Sequence, residues 1–329
     1  MEPLISVIVP VYNAQDVITE TFGNLVYQSF FERYGEEVME LILVDDCSTD
    51  GTGALLDSFY AQFPGRIRVI HLEEHAGPGG ARNAGMDAAR GAYIGFADCD
   101  DIVDVTFYER LYEKATEGGV FYDIVDSPLY YEDTQQAVLA TPEPYAGTLD
   151  AGKKQDLLTE IGFLFTRLIK RDLIEDPRVR TREHVTSEDE DFLAELICRA
   201  QSVNVLMQPL YVRKENRKKK LGADVGDMMK PFGIFVSCAI SAFGRLSALE
   251  DYEALRLGAE AFYYKRLSKA LQLYAVYHKA GLLSEDMDAQ ILSTLHRTAE
   301  TVARTPYTDN PYVMHAFSEK ELRRMERYL

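Results

Sequence analysis

The chain has 329 residues, 47% of them hydrophobic, and a formal net charge of −18 at pH 7. That is enough apolar material for roughly two domains with real cores. The charge excludes a nucleic-acid surface, which would depend on Lys and Arg contacts to phosphate. Cys47, Cys99, Cys198 and Cys238 form no CxxC pair and show no ligand-like spacing with the six histidines. Neither a zinc site nor a disulfide framework is expected, and a reducing, cytoplasmic setting fits.

The amino terminus, MEPLISVIVPVYN, lacks a basic stretch and reads directly as a strand rather than a signal peptide. Strand-like runs LISVIVPV, ELILVDD, RIRVIHL and AYIGFAD alternate with helical patterns over residues 14–30, 52–63 and 80–90. Such alternation predicts an α/β fold of βαβ units, a mostly parallel sheet with helices on both faces. From 122 to 213 the pattern is less regular, with strand candidates DIVDSPLYY, IGFLFTRLIK and SVNVLM around one helix over 188–200. Residues 1–221 are expected to form one domain. Residues 222–329 are expected to form a helical one, with patterns near 228–249, 252–277, 286–302 and 318–328. Aromatics Phe262, Tyr263, Tyr264, Tyr274 and Tyr277 suit a core or a self-association face, the latter giving a homodimer through these helices. The longest apolar run, 232–243, is too short to span a bilayer.

Three features fall at carboxyl ends of the early strands: PVYN, DDCSTDGT and DCDD. In open α/β sheets that edge is where ligands bind. Asp98, Asp100 and Asp101 crowd one strand end, where carboxylates raise one another's pKa unless a cation neutralises them. A hard divalent ion that shares oxygen ligands with substrate phosphates is one remedy. A strand-end turn capping a helix that starts near Val105 is the other reading, and the residues alone leave both open. In DDCSTDGT, Thr49 or Asp50 suits a helix N-cap. That leaves Asp45 and Asp46 to accept from a base N–H or a ribose hydroxyl. The glycine-rich HAGPGGARNAG breaks the dinucleotide fingerprint at Arg82. Arg82 is placed to pair with the strand-end aspartates or with a diphosphate.

In SEDEDFLAELICRA, Ser187 and Glu190 form a capping box. The apolar stripe is Phe192, Leu193, Leu196, Ile197 and Ala200. At about 100° per residue, Asp189 falls near the stripe's centre and Asp191 on the opposite side. The helix dipole accounts for Glu188 and Asp191. It does not account for an inward Asp189, whose desolvated carboxylate suits general-base work.

In order, VIVPVYN, LILVDDCSTDGT, GPGGARNAG, GAYIGFADCDD, SEDEDF and PLYVR resemble family 2 glycosyltransferases of the GT-A fold, over residues 4–215. The resemblance implies inverting transfer of a sugar from a nucleotide-sugar donor, usually uridine-linked, to an acceptor hydroxyl, with Mn²⁺ or Mg²⁺. Pro10 and Tyr12 would line the base pocket, and Asp46, with Asp45 beside it, would contact base or ribose. Arg82 belongs to the donor side. Asp98 would meet the donor and, with Asp100, the metal; Asp101 would assist or merely cap. Asp189 would be the base, with Glu188 as its neighbour. The acceptor would be a saccharide or lipid-linked saccharide of cell-surface polysaccharide or glycolipid synthesis, used at the cytoplasmic side with peripheral contact at the membrane's inner face.

Two departures stand out. PLYVRKENRKKK has no histidine or serine after LY to complete the metal site. Its Arg213, Lys214 and later lysines instead suit a diphosphate, solvent or anionic lipid. There is also no QxxRW and no tryptophan, which argues against a processive synthase. Competing readings are a haloacid-dehalogenase-like phosphatase with Asp98 as nucleophile, a nucleotidyltransferase, and a sugar-nucleotide-binding protein without transfer activity.

Overall fold

The computed structural model describes residues 2–185, 187–214 and 225–329, with no side-chain placement for 225–228. Two compact units emerge from the packing. One comprises Met1–Leu149, Gly162–Phe192 and Arg199–Asn216; the other comprises Asp150–Ile161, Leu193–Cys198 and Arg217–Leu329.

Among the described residues the first unit holds twelve strands: β1 Ile5–Val11, β2 Met39–Asp45, β3 Ile67–His71, β4 Tyr93–Phe96, β5 Ile102–Val103, β6 Ile124–Asp126, β7 Leu129–Tyr131, β8 Gln136–Val138, β9 Gly147–Thr148, β10 Leu168–Lys170, β11 Ser202–Val205 and β12 Tyr211–Arg213. Eight of them make one sheet in the order β3-β2-β1-β4-β10-β6-β11-β9, and β5-β12-β7-β8 make a second. Strands β1 to β4 are mutually parallel, as the βαβ pattern predicts, while β10 pairs antiparallel with both β4 and β6. Every residue of β2 is buried, and all of β1 except Pro10. Parallel strands covered on both faces read as continuous apolar runs for this reason. The helices of this part are α1 Ile18–Val26, α2 Ser29–Tyr34, α3 Thr52–Gln62, α4 Gly77–Ala88 and α5 Phe107–Ala115. Close packing is visible at Gly85 of α4, where a Cβ would lie 2.4 Å from Ile8 Cγ2 of β1.

Several expectations for 122–213 change. DIVDSPLYY splits at Ser127 and Pro128 into β6 and β7, which belong to different sheets. Only the end of IGFLFTRLIK is a strand. Helices α6 Ala151–Thr159 and α7 Arg171–Glu175 were not anticipated, and α8 spans Asp189–Arg199. Asp150 caps α6 by accepting the Lys153 N–H at 2.9 Å.

The second unit is helical: besides α6 and part of α8 it contains α9 Val225–Leu246, α10 Tyr252–Lys279, α11 Glu285–Val302, α12 Pro311–Ala316 and α13 Glu319–Tyr328. Phe262, Tyr263, Tyr264, Tyr274 and Tyr277 are all buried on α10. They are core. Glu260, fully buried, accepts from Arg256 Nη1 and from the Arg304 N–H, both at 2.9 Å. No helix among the described residues is long and apolar enough to cross a membrane.

Candidate active site

Strands β1, β2 and β4 release the chain at one edge of the sheet. Val11 stands opposite Asp45, and Ile8 opposite Phe96. Each ladder continues one step further: the Asp46 N–H donates to Val11 O at 2.8 Å and the Ala97 N–H to Ile8 O at 3.1 Å. Tyr12, Asp46 and Asp98 are thereby delivered side by side. The cleft they open is lined by Pro10, Val11, Tyr12, Asp46, His75, Pro78, Arg82, Asp98, Cys99 and Asp100.

Six of the residues expected from sequence meet in this cleft: Pro10, Tyr12, Asp46, Arg82, Asp98 and Asp100. Asp45 does not line it. Successive side chains at a strand end alternate, and Asp45 turns to accept the Ser48 N–H at 3.0 Å and pair with His71 Nδ1 at 2.9 Å. Burial pushes its pKa up, but the bonds from Ser48 and His71 outweigh this and leave it below the usual carboxylate value. Asp45 ties β2 to β3 through His71. Asp46 faces the cleft, accepts the Ala76 N–H at 2.7 Å and pairs with His75 Nδ1 at 2.9 Å. Burial raises its pKa.

His75 and Pro78 were not singled out from sequence. The His75 ring lies 4.2 Å from that of Tyr12, tilted by 32°, and Tyr12 is 44% exposed. The two make an aromatic wall beside Asp46. A lone histidine two residues before a glycine turn carries no distinctive signal.

Arg82 on the second turn of α4 is buried, donates from Nη2 to Asp98 Oδ1 at 3.0 Å, and forms an ion pair through Nη1 with the buried Glu188. One guanidinium fork therefore ties the end of β4 to the start of α8. The 181–188 segment is also strapped to α4. Asn83 Nδ2 donates to Thr181 O and Asn83 Oδ1 accepts the Thr181 N–H, both at 3.0 Å, while the Thr181 hydroxyl donates to Gly79 O at 2.8 Å. Gly79 has no room for a Cβ, which would fall 1.8 Å from Arg182 O.

The helix geometry corrects the wheel argument. Asp191, placed on the polar side, is fully buried and accepts from Arg182 Nε at 3.0 Å, whereas Asp189 is half-buried. Residues 191–198 are all buried, so α8 has no solvent face from which to define a polar side. Ser187 is not in N-cap conformation. Its φ is +55°, outside the extended region that N-caps favour, and α8 opens at Asp189. Asp189 still has the property asked of it. Burial pushes its carboxyl up to about 6, with Arg82 pulling the other way and Glu188, Glu190 and Asp98 adding to the rise.

Asp101 is buried and its Oδ1 accepts the Lys214 N–H at 3.2 Å, while Oδ2 has no partner among the described residues. Burial, then Asp98 and Asp100, push it up to about 7. The cap reading of this turn fails. β5 intervenes, α5 begins at Phe107, and Asp104 Oδ1 accepts the Thr106 N–H at 2.8 Å. Upstream, Asp50 Oδ1 does receive the Thr52 N–H at the start of α3, at 2.9 Å. Cys99 lies between the aspartates with its thiol pushed up to about 12 by burial and by Asp100 and Asp98, so it stays protonated. Lys214 pairs with Glu20, and Arg213 lies over the Phe165 ring at 5.4 Å. The lysines of 218–220 and the expected boundary near 222 lie outside the described residues.

Among the described residues, no three His, Cys, Asp or Glu side chains converge as a metal site. Of the three carboxylates that line the cleft, Asp46 is taken up by the Ala76 N–H and His75, and Asp98 and Asp100 at the acidic turn are two oxygen donors for a cation. That fits a Mg²⁺-like ion, which typically takes one or two carboxylates and fills its shell with substrate phosphates and water. The crowding that lifts Asp101 is the negative charge such an ion would relieve.

A family model described as Glycosyl transferase family 2 matches residues 6–176, the span that builds this edge and cleft. The chain belongs to glycosyl transferase family 2. This family 2 glycosyltransferase is 33% identical over 224 residues to the uncharacterized glycosyltransferase EpsJ of Bacillus subtilis, covering 66% of the chain and 62% of that protein. It is 34% identical over 189 residues to the putative teichuronic acid biosynthesis glycosyltransferase TuaG of B. subtilis, 56% of the chain and 71% of TuaG. The match to EpsJ thus leaves over a third of that relative unspanned. Among solved structures, S. aureus TarS 1–349 in complex with UDP aligns over 100% of the chain and 89% of its own length, with a TM-score of 0.66 and 18% identity. Mannosyltransferase PcManGT from Pyrobaculum calidifontis, in complex with GDP-Man and Mn²⁺, aligns over 96% and 86% with a TM-score of 0.53 and 16% identity. At those identities the shared property is the GT-A fold. Family membership removes the phosphatase and nucleotidyltransferase readings.

Proposed function

We propose that this glycosyltransferase moves a sugar from a uridine-linked nucleotide-sugar donor to an acceptor hydroxyl in the synthesis of a cell-surface polysaccharide or its lipid-linked precursor. The carrying observation is the Arg82 fork, which locks the donor-side Asp98 to Glu188, next to the half-buried Asp189. A donor base would stand against Tyr12 and His75, with Asp46 accepting from base or ribose. Asp98 and Asp100 would hold a divalent ion, Mn²⁺ or Mg²⁺, whose charge offsets that of the departing diphosphate.

Asp189 would take the proton of the acceptor hydroxyl. Its carboxyl near 6 is ionised at neutral pH yet more basic than an ordinary aspartate, as general-base work requires. Attack from the face opposite the diphosphate inverts the anomeric centre in a single displacement. The relative TuaG, whose name places it in teichuronic acid biosynthesis, and the TarS complexes with UDP and UDP-GlcNAc support the polymer context and the nucleotide. We assign the reaction to residues 1–221.

Thermal denaturation with UDP and Mn²⁺ tests the donor and metal assignment. Wild type is expected to be stabilised by the pair more than by UDP alone, and Asp100→Ala to lose the metal-dependent increment. The same increment in wild type and variant would remove Asp100 from the metal site.

A further inference from the structure

Apart from the base Asp189, no residue has yet been assigned to the acceptor, and the second sheet supplies a candidate surface. This sheet starts at β5, immediately after Asp101, and its central strand β12 pairs with β5 on one side and β7 on the other. The topology roots it in the acidic turn. β12 presents Tyr211, whose hydroxyl oxygen accepts the Asp98 N–H at 2.9 Å. From Tyr211 a series of rings leads outward. Phe165 stacks on Tyr211 at 4.8 Å, Phe163 stacks on Phe165 at 5.5 Å and 20°, and Tyr131 meets Phe163 edge-on at 6.3 Å.

The inner two rings, Tyr211 and Phe165, are buried; the outer two, Phe163 and Tyr131, remain half-exposed. An inner, buried aromatic pair thus supports an outer, half-exposed one. Arg213, paired in register with Tyr131, is exposed, hydrogen-bonds the Tyr131 side chain and lies 5.4 Å over Phe165. Its planar fork of donors stands at the rim of the rings.

We propose that Phe163 and Tyr131 form the acceptor subsite: the C–H face of an acceptor pyranose stacks on Phe163 as its platform, Tyr131 walls one side, and Arg213 donates to the oxygens at the ring's edge. A sugar ring has just this pairing of chemistry, an apolar face and a hydroxylated rim, and aromatic surfaces with one polar handle match it. The location explains why the rings are anchored to the Asp98 backbone. A saccharide seated there would lie on the sheet that begins at the acidic turn, where Tyr131 and Arg213 are near enough to Asp101 to interact with its charge. The inference rests on the nucleotide-sugar reading above and deepens it by naming where the saccharide acceptor sits.

Saturation-transfer NMR tests it with methyl β-D-glucopyranoside and N,N′-diacetylchitobiose as probes, with and without UDP and Mn²⁺. Wild type is expected to saturate the ring C–H protons of at least one probe. Phe163→Ala should weaken that binding about tenfold while Phe163→Tyr stays within about twofold of wild type, the loss expected for removing one stacking face. UDP affinity should be the same in all three proteins, which also shows that the variants are folded. Equal probe binding by wild type and Phe163→Ala, or no probe binding by wild type, overturns the platform. Failure of UDP to bind wild type would instead count against the nucleotide-sugar reading and leaves the Phe163 comparison decisive for the platform.

Discussion

Replacing Asp189 by asparagine should separate catalysis from stability in opposite directions. Burial lifts this carboxyl from 3.8 to about 6, so above that pH the folded protein holds a charge it would rather not carry. A shift of about two units corresponds to ~3 kcal/mol between protonation states. Solvent reaches the half-buried carboxyl, so about 1–2 kcal/mol is the recoverable part. Because the folded pKa is raised above the unfolded one, the penalty is absent below about 4, grows between about 4 and 6, and is fully present above. Asp189→Asn should therefore match wild type in stability at low pH and exceed it at pH 8, by a few degrees at roughly 2–4 °C per kcal/mol. The same variant should bind UDP normally and lose about 10²–10⁴-fold in turnover, the usual contribution of a general base. Urea or thermal denaturation from pH 4 to 8, beside sugar transfer assays, reads both. Lower stability at pH 8 would refute the desolvation argument, and near-normal turnover would refute the base assignment.

Wild-type kcat/KM should fall as pH drops through about 6, the protonated Asp189 being no base, and this limb should be absent from the residual activity of Asp189→Asn. Arg82→Met strands Asp98 and the buried Glu188 without their cation and should cost about 3–5 kcal/mol in chemical denaturation, with Arg82→Met/Glu188→Gln recovering part of it. Gly79→Ala drives a Cβ into Arg182 O, 1.8 Å away, so it should destabilise by about 1–3 kcal/mol and lower turnover more than UDP affinity, since the displaced segment leads to Asp189. Equal losses in turnover and UDP affinity would show that the segment does not serve the base.

The parallel half of the fold was legible because strands buried on both faces announce themselves as apolar runs, and the carboxylates ending them stand where ligand-edge residues belong. The parts that were not legible share a cause: their roles depend on what packs against them. Asp45 and Asp46 are neighbours in sequence but face opposite ways, one to His71 and the other to the cleft, which only the strand pleat decides. Asp191 defeated a helical-wheel argument because Arg182, nine residues upstream, follows it into the interior. Phe163 comes from the loop before β10 and Tyr131 from β7, and their meeting near Tyr211 appears only once β12 has paired with β7 and Phe165 has stacked on Tyr211. His75 gave no periodic signal and is recognisable only beside Tyr12 and Asp46.

The most direct test of the central claim is ¹H NMR of a UDP-hexose of α configuration incubated with the protein and Mn²⁺, water serving as acceptor in the absence of a saccharide. The account predicts slow release of UDP with β-hexose as the first-formed sugar, before mutarotation, abolished in Asp189→Asn. First appearance of the α-anomer, or no consumption of any nucleotide sugar across a panel of donors, would contradict it.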